Sequence, residues 1–280
     1  MSEKISIIGI QTIPTRDSQK NLEQAVDIME KALLLHKHAD MVVLPECFWY
    51  FPHNNEKDTI GPIPEEFVET FSYYAKTYNT YITAGSIINH RDGRLFNTSL
   101  LFDRKGDVIG SYDKVHLFDV LNADADKGES NLVARGEELL VHDADFGRIS
   151  VMICYDIRFP ELARTLALQG VQYLFIPAAF YMPRFDHWQN LLQATAIHNS
   201  MYVTGANLYG RLDDARIFCG RSLIADPWGI SVAMASDKPG FIQAYVDTDY
   251  CDTIKDAVGS LRNRVPAVYD IPSNHKTEGR

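Results

Sequence analysis

Hydrophobic and polar positions follow two alternating periods along this chain. Lys4 to Ile10 begins as an alternation and continues as an apolar run, the pattern of a buried strand. Leu22, Ala25, Val26, Met29 and Leu33 then recur at helical spacing, which predicts a helix over about 18–36. Met41 to Leu44 is a short apolar strand that stops at Pro45-Glu46. A second helix is predicted from near Pro64, with Phe67, Phe71, Tyr74, Ala75 and Tyr78 on one face and Asn79 at its end.

Period two returns at Tyr81–Ile88, Leu95–Phe102 and Val108–Tyr112. Asp92-Gly93 and Lys105-Gly106 supply turn chemistry between these runs, so an antiparallel meander is expected. Ile149–Ile153 reads as another strand, followed by a helix from about Pro160 to Gln169 that Gly170 closes. Tyr173–Ile176, a helix carrying Trp188, Leu191, Leu192 and Thr195 on one face, and Met201–Ala206 come next. The last strands fall near Ser222–Ala225, Ser231–Ala235 and Phe241–Val246. Strands alternating with helices, with meanders inserted, predict a mixed α/β layered fold. The two halves echo each other faintly. From about Tyr250 the pattern dissolves into a polar tail, expected to dock on a neighbouring element or another subunit. With no linker, charge block or low-complexity segment to divide it, residues 1–280 are read as one domain.

Composition narrows the chemistry. The 280 residues are 46% hydrophobic and 23% charged, enough for a sizeable core. A formal charge of −10 disfavours nucleic acid and anionic membranes as partners, since both need clustered Lys and Arg. The first residues lack the apolar core of a signal peptide, and no run is long and apolar enough to span a bilayer, so a cytoplasmic location is expected. Cys47, Cys154, Cys219 and Cys251 form no CxxC pair. Neither a metal motif nor a phosphate-binding loop is present, and no cofactor is expected. What remains is side-chain chemistry.

Three strand ends carry reactive groups: Glu46 in VVLPECF, Lys114 in SYDKVHLFD and Cys154 in VMICYDIRFPEL. Strand ends are where α/β folds bind ligands, so the shared placement matters more than any single residue. Cys154 alone reads first as a packed core thiol, since a Cys at the end of an apolar strand is usually packing. Against that, a polar Tyr-Asp pair follows it, and a strand-to-helix turn exposes a side chain and aims free N–H groups at what it attacks. A helix start also favours the thiolate. A nucleophilic thiol needs a base. None of the nine histidines sits in a protease-like setting. Glu46 can serve if it is desolvated among its apolar neighbours; otherwise it is an exposed loop carboxylate. Lys114 by itself is a solvated lysine; between the other two, its ammonium would stabilise an oxyanion.

Together, in this order, LPE, DKVHLFD and CYDIRFPELAR resemble the Glu-Lys-Cys triad of the nitrilase superfamily of carbon–nitrogen hydrolases. The resemblance runs from IGIQTIP to GRSLIADPWG, nearly the whole chain. It implies a four-layer α-β-β-α sandwich of mixed sheets that forms a homodimer or larger homo-oligomer, with LRNRVPAVYD crossing to the partner subunit. It implies Glu46, Lys114 and Cys154 as catalytic residues, and Glu129, in KGESNLVARGEEL, as the family's further substrate-positioning glutamate. Glu137 and Glu138 nearby read as surface charges. The chain departs from the family pattern at Thr195-Ala196-Ile197-His198-Asn199, where relatives usually carry Arg-Ala-x-Glu-Asn.

The implied reaction is hydrolysis of a small-molecule amide through a thioester on Cys154, with the Tyr155 backbone N–H assisting the oxyanion. The sequence is most similar to the omega-amidase branch, which acts on monoamides of dicarboxylic acids. Arg158 is a candidate clamp for the distal carboxylate; equally it could pair with Asp156 or Glu161. Phe48, Tyr50, Phe118, Phe180 and Tyr181 are candidates to line the pocket. Hydrolysis of an N-carbamoyl compound is the alternative chemistry, and a silent binding protein on the same fold the alternative class.

Overall fold

A computed structural model describes residues 3–119 and 128–269. The first half contains β1 (Lys4–Gln11), α1 (Ser18–Leu35), β2 (Met41–Val43), α2 (Glu65–Tyr78), β3 (Tyr81–Arg91), β4 (Arg94–Phe102) and β5 (Val108–Asp113). The second contains β6 (Val141–Ala144), β7 (Gly147–Val151), α3 (Pro160–Leu168), β8 (Tyr173–Ala178), α4 (Phe185–Asn199) and β9 (Tyr202–Asn207). It continues with β10 (Tyr209–Arg211), β11 (Ile217–Cys219), β12 (Leu223–Ala225), β13 (Ser231–Met234), β14 (Gly240–Asp247), α5 (Tyr250–Val258) and α6 (Pro266–Tyr269).

Local chemistry sets many of these boundaries. The Asp17 carboxylate caps α1 by accepting the Lys20 N–H. Asn79 closes α2 in the left-handed conformation at φ 52°. Asp92 (φ 52°) and Gly93 (φ 75°) turn β3 into β4, as Asp-Gly does in a tight hairpin.

The strands form two six-stranded sheets, ordered β14-β1-β2-β3-β4-β5 and β13-β12-β9-β8-β7-β6, and a small β10-β11 ribbon. In the first sheet β1, β2 and β3 are parallel; in the second β7, β8 and β9 are. The meander β3-β4-β5 is antiparallel, as its turns predict. Alternation along each strand then builds the layers. Ile8, Ile10, Val42, Leu44 and Ile82 face outward onto Leu22, Met29, Phe67 and Phe71 of α1 and α2. Ile5, Ile7, Met41 and Val43 face inward and share a core with Ile149, Val151, Tyr173 and Phe175 of the other sheet. Trp188, Leu192, Leu162 and Leu166 of α4 and α3 cover that second sheet. The fold is an α-β-β-α sandwich. Among the described residues, no helix is long and apolar enough to cross a membrane.

The structure corrects the periodicity in three places. β6, β10 and β11 form where no strand was expected, because they are only three or four residues long and none is wholly buried. The strand before Cys154 ends at Val151, and a 3₁₀ turn over Cys154–Arg158 separates it from α3. The segment from Tyr250, read as a polar tail, begins with α5, which docks on the body through buried Cys251 and Ile254. Two apolar anchors three residues apart make a stripe too short to stand out in sequence. Residues 270–280 of that tail lie outside the described residues.

Candidate active site

Glu46 lies just beyond β2, where the chain leaves the sheet without leaving its neighbour. It bridges in parallel to Ser86, and the Cys47 N–H donates to the Ser86 carbonyl at 2.9 Å. This close approach requires glycine at position 85. Its φ is +36°, and a Cβ there would stand 2.1 Å from the Pro45 carbonyl oxygen. Glu46 is 4% exposed. Its Oε1 accepts from Lys114 Nζ at 2.8 Å and from Asn97 Nδ2 at 2.9 Å. Its Oε2 accepts the Ala179 N–H at 2.9 Å, just past the end of β8. One carboxylate thus ties the two sheets together.

Lys114 follows β5 and is 2% exposed. Its backbone is pinned on both sides, with the N–H donating to the Asn97 carbonyl and the carbonyl accepting from Gly136, each at 2.9 Å. Beyond Glu46, its ammonium donates to Glu129 Oε2 at 2.9 Å and Oε1 at 3.1 Å. Burial opposes the charge, but the carboxylates of Glu129 and Glu46 outweigh it and hold Lys114 well above its ordinary pKa. Glu129 also accepts from Asn97 Nδ2 at 3.0 Å and from the Phe118 N–H at 2.7 Å.

Cys154 completes the group. It sits at φ 46° at the start of the 3₁₀ turn and is 9% exposed. The Glu46 carboxylate and the Ala179 N–H both face its thiol. Burial, followed by the Glu46 charge, pushes the thiol well above the usual range, against the pull of Lys114 and Ala179. The turn start therefore does not yield a resting thiolate, contrary to expectation. A proton must move before the sulfur can attack.

The turn is held by Asp156, a fully buried carboxylate. Oδ2 accepts the Tyr112 hydroxyl at 2.8 Å and the Ile153 N–H at 2.9 Å. Oδ1 accepts the His116 N–H at 2.9 Å and faces its Nδ1 at 2.8 Å. The His116 ring stacks on Phe159 with centroids 3.6 Å apart. Asn97 and Asp156 escaped the sequence reading. Their signals were a polar run, Asn97-Thr98-Ser99, inside an otherwise apolar buried strand, and an acid inside the apolar stretch around Cys154.

Of the other expected residues, Tyr155 directly follows the nucleophile, and the Arg158 guanidinium lies over its ring, with Cζ 6.0 Å from the centroid. The pairing of Arg158 with Asp156 or Glu161 does not form. Asp156 is saturated by other donors, and Arg158 Nη2 instead donates to His187 Nδ1 at 3.3 Å. Phe118 meets the Tyr155 ring edge-on at 5.1 Å and tilts against Tyr181 at 6.0 Å, while Phe180 is buried on Trp188 with centroids 5.2 Å apart. Phe48 does not join them: it packs on Phe67 and Phe71 in the outer core. Tyr50 is occupied by Glu56, to which its hydroxyl donates at 2.9 Å. Glu137 and Glu138 are exposed. Thr195 is buried in α4, its carbonyl accepting from Asn199, while His198 is exposed and its carbonyl meets Ser260.

Residues 4–256 match the carbon-nitrogen hydrolase family. The chain is 36% identical over 258 residues to the deaminated glutathione amidase of Synechocystis, covering 88% of this chain and 93% of that one. It is 33% identical over 276 residues to the omega-amidase NIT2-A of Xenopus laevis, covering 96% and 97% respectively. The solved structure of Saccharomyces cerevisiae Nit3, a member of branch 10 of the nitrilase superfamily, is similar to it with a TM-score of 0.83 at 29% identity, covering 92% of this chain and 95% of Nit3. With this fold, these relatives and this match, the chain belongs to the carbon-nitrogen hydrolase family, whose members act on non-peptide amide bonds.

Proposed function

We propose that this chain hydrolyses the terminal amide of a dicarboxylic acid monoamide through a thioester on Cys154. The observation that carries the reading is the buried contact of Cys154, Glu46, Lys114 and Glu129. Glu46 takes the thiol proton as the sulfur bonds to the carbonyl carbon. The negative charge that develops on the carbonyl oxygen falls to Lys114 and the Tyr155 N–H, which lies in the opening turn of a helix, where amides lack carbonyl partners. Collapse breaks the C–N bond, and Glu46 returns its proton to the departing ammonia. Water then gives a proton to Glu46 and its oxygen to the thioester carbon; the acid leaves and the thiol is restored. Glu129 fixes Lys114 against Glu46, so the ammonium stays charged throughout.

The substrate class rests on the omega-amidase relative and on Arg158. Its guanidinium lies beside Phe180 and Tyr155, near the nucleophile, with no acidic partner among the described residues. Apart from the Nη2 contact with His187, that leaves its donors for a substrate carboxylate. Ammonia release from glutaramate, from carbamoyl amines and from simple nitriles, beside Cys154→Ala, tests the proposal. Glutaramate should be the best of the three, with the mutant inactive. Equal turnover by Cys154→Ala would sink the thioester route, and preference for a carbamoyl amine would replace the substrate class.

A further inference from the structure

Asn97 is bonded to Glu46, Glu129 and Lys114, yet no step above uses it. It lies in β4 and is 1% exposed. Its backbone carbonyl accepts the Lys114 N–H at 2.9 Å. Its Nδ2 donates to Glu46 Oε1 at 2.9 Å and to Glu129 Oε1 at 3.0 Å, so both hydrogens of the amide are engaged, one on each acid. The orientation is forced. Turned over, the amide would set its oxygen against two carboxylates. As it stands, Oδ1 is buried with no hydrogen-bond partner among the described residues, an unfavourable arrangement that the two donations outweigh.

The two oxygens of Glu46 are consequently unlike. Oε1 carries two donors, the Lys114 ammonium at 2.8 Å and the Asn97 amide. Oε2 accepts the Ala179 N–H at 2.9 Å. That same N–H faces the Cys154 thiol, so Oε2 is the oxygen on the sulfur's side. Donors favour the charged form of the oxygen they reach and oppose a proton there. The other titratable groups around Glu46 are Glu129, which shares both of the Oε1 donors, and Cys47 and Tyr181, whose ionisation its charge opposes.

We propose that Asn97 is a positioning residue that, together with Lys114, confines the proton taken from Cys154 to Glu46 Oε2. This rests on the thioester mechanism above. The S–H bond breaks toward Oε2, its electron pair forms the bond to the carbonyl carbon, and the proton stays on the sulfur's side for the departing ammonia. In Asn97→Leu, Oε1 keeps only Lys114, and two carboxylates face each other with that one cation between them. The acids then hold a proton more readily, and the base is lost at a pH where the parent still has it.

Two pH profiles test this in Asn97→Leu and Asn97→Ala: kcat/KM for glutaramate, and iodoacetamide alkylation of Cys154 followed by mass spectrometry. The acidic limb of each reports protonation of the Glu46–Cys154 pair. It should move to higher pH by about one unit, the effect of one hydrogen bond to a charged group. Asn97→Ser, whose hydroxyl can donate to one acid, should move it less, and carries the test if the apolar variants fail to fold. Thr98→Val disturbs β4 from its other face, through Asn89 and Asp113, and should lower stability with the limb in place. An unmoved limb in the Asn97 variants that fold, or an equal movement in Thr98→Val, would overturn the proposal. If glutaramate is hydrolysed and the limb does not move, only the role of Asn97 fails. If the alkylation limb moves and glutaramate is not hydrolysed, the proton transfer stands and the substrate reading fails.

Discussion

Asp156→Asn isolates what holds the nucleophile turn. The carboxylate faces four donors, two on each oxygen: the His116 N–H and Nδ1, and the Tyr112 hydroxyl and Ile153 N–H. Asparagine preserves the shape but has one acceptor oxygen, and its NH₂ is itself a donor. Turned one way, the NH₂ opposes the His116 N–H; turned the other, it opposes the Ile153 N–H. Either orientation orphans one backbone amide, at about 1–3 kcal/mol, and the surviving bonds lose their charge assistance, adding about 1 kcal/mol. The expected loss is about 2–4 kcal/mol of folding free energy. Tyr112→Phe removes a single donor and should cost only about 1 kcal/mol.

Activity should fall further than stability alone explains. The Ile153 N–H bond fixes the residue just before Cys154, whose own φ of 46° is strained, and a shift of the thiol by about 1 Å costs on the order of 100-fold in rate. Urea unfolding followed by tryptophan fluorescence reads the first effect; ammonia release and iodoacetamide alkylation of the folded protein read the second. An Asn variant within about 0.5 kcal/mol of the parent, with undiminished turnover, would refute the reasoning.

Three further outcomes follow from the same geometry. Glu129→Gln removes a negative charge from Lys114 and leaves either the Phe118 N–H or Asn97 Nδ2 without its acceptor, so kcat should drop about 100-fold in a protein whose circular dichroism is unchanged. Gly85→Ala forces a Cβ into the Pro45 carbonyl and the Phe48 ring at a positive φ; about 3 kcal/mol of stability and most of the activity should be lost, because the displaced segment carries Glu46. Alkaline pH should destabilise the fold. Burial pushes the Cys219 and Cys251 thiols up to about 12, so above about pH 9 the unfolded chain ionises first and binds fewer protons than the folded one. Each thiol then removes about 1.4 kcal/mol per pH unit up to its folded pKa, and Cys251→Ala should flatten the measured slope by that amount.

The resemblance carried by three short stretches led to Glu46, Lys114, Glu129 and Cys154, and the fold brings all four together. It also led to Arg158 but left its partner open, because His187 lies on a different helix, 29 residues away. Asn97 and Asp156 read as ordinary polar residues until their neighbours were in place. A buried carboxylate with four donors cannot be distinguished from an exposed one without knowing where Tyr112 and His116 lie. The helix over Tyr250–Val258 has its apolar positions, Cys251, Ile254 and Val258, at helical spacing, but the stripe is only nine residues long and sits among polar neighbours, so it reads as tail.

What the sequence by itself determined is local: which segments alternate, which recur at helical spacing, and where Asp, Asn and Gly end them. Those preferences act between residues a few positions apart, where the backbone's two periods decide which side chains share a face. Tertiary structure decided the chemistry. Glu46 meets Lys114 across 68 residues and the Ala179 N–H across 133, through two sheets stacked face to face. Only that packing removes water from the group, so only there does burial hold the Cys154 thiol protonated while two carboxylates keep Lys114 charged.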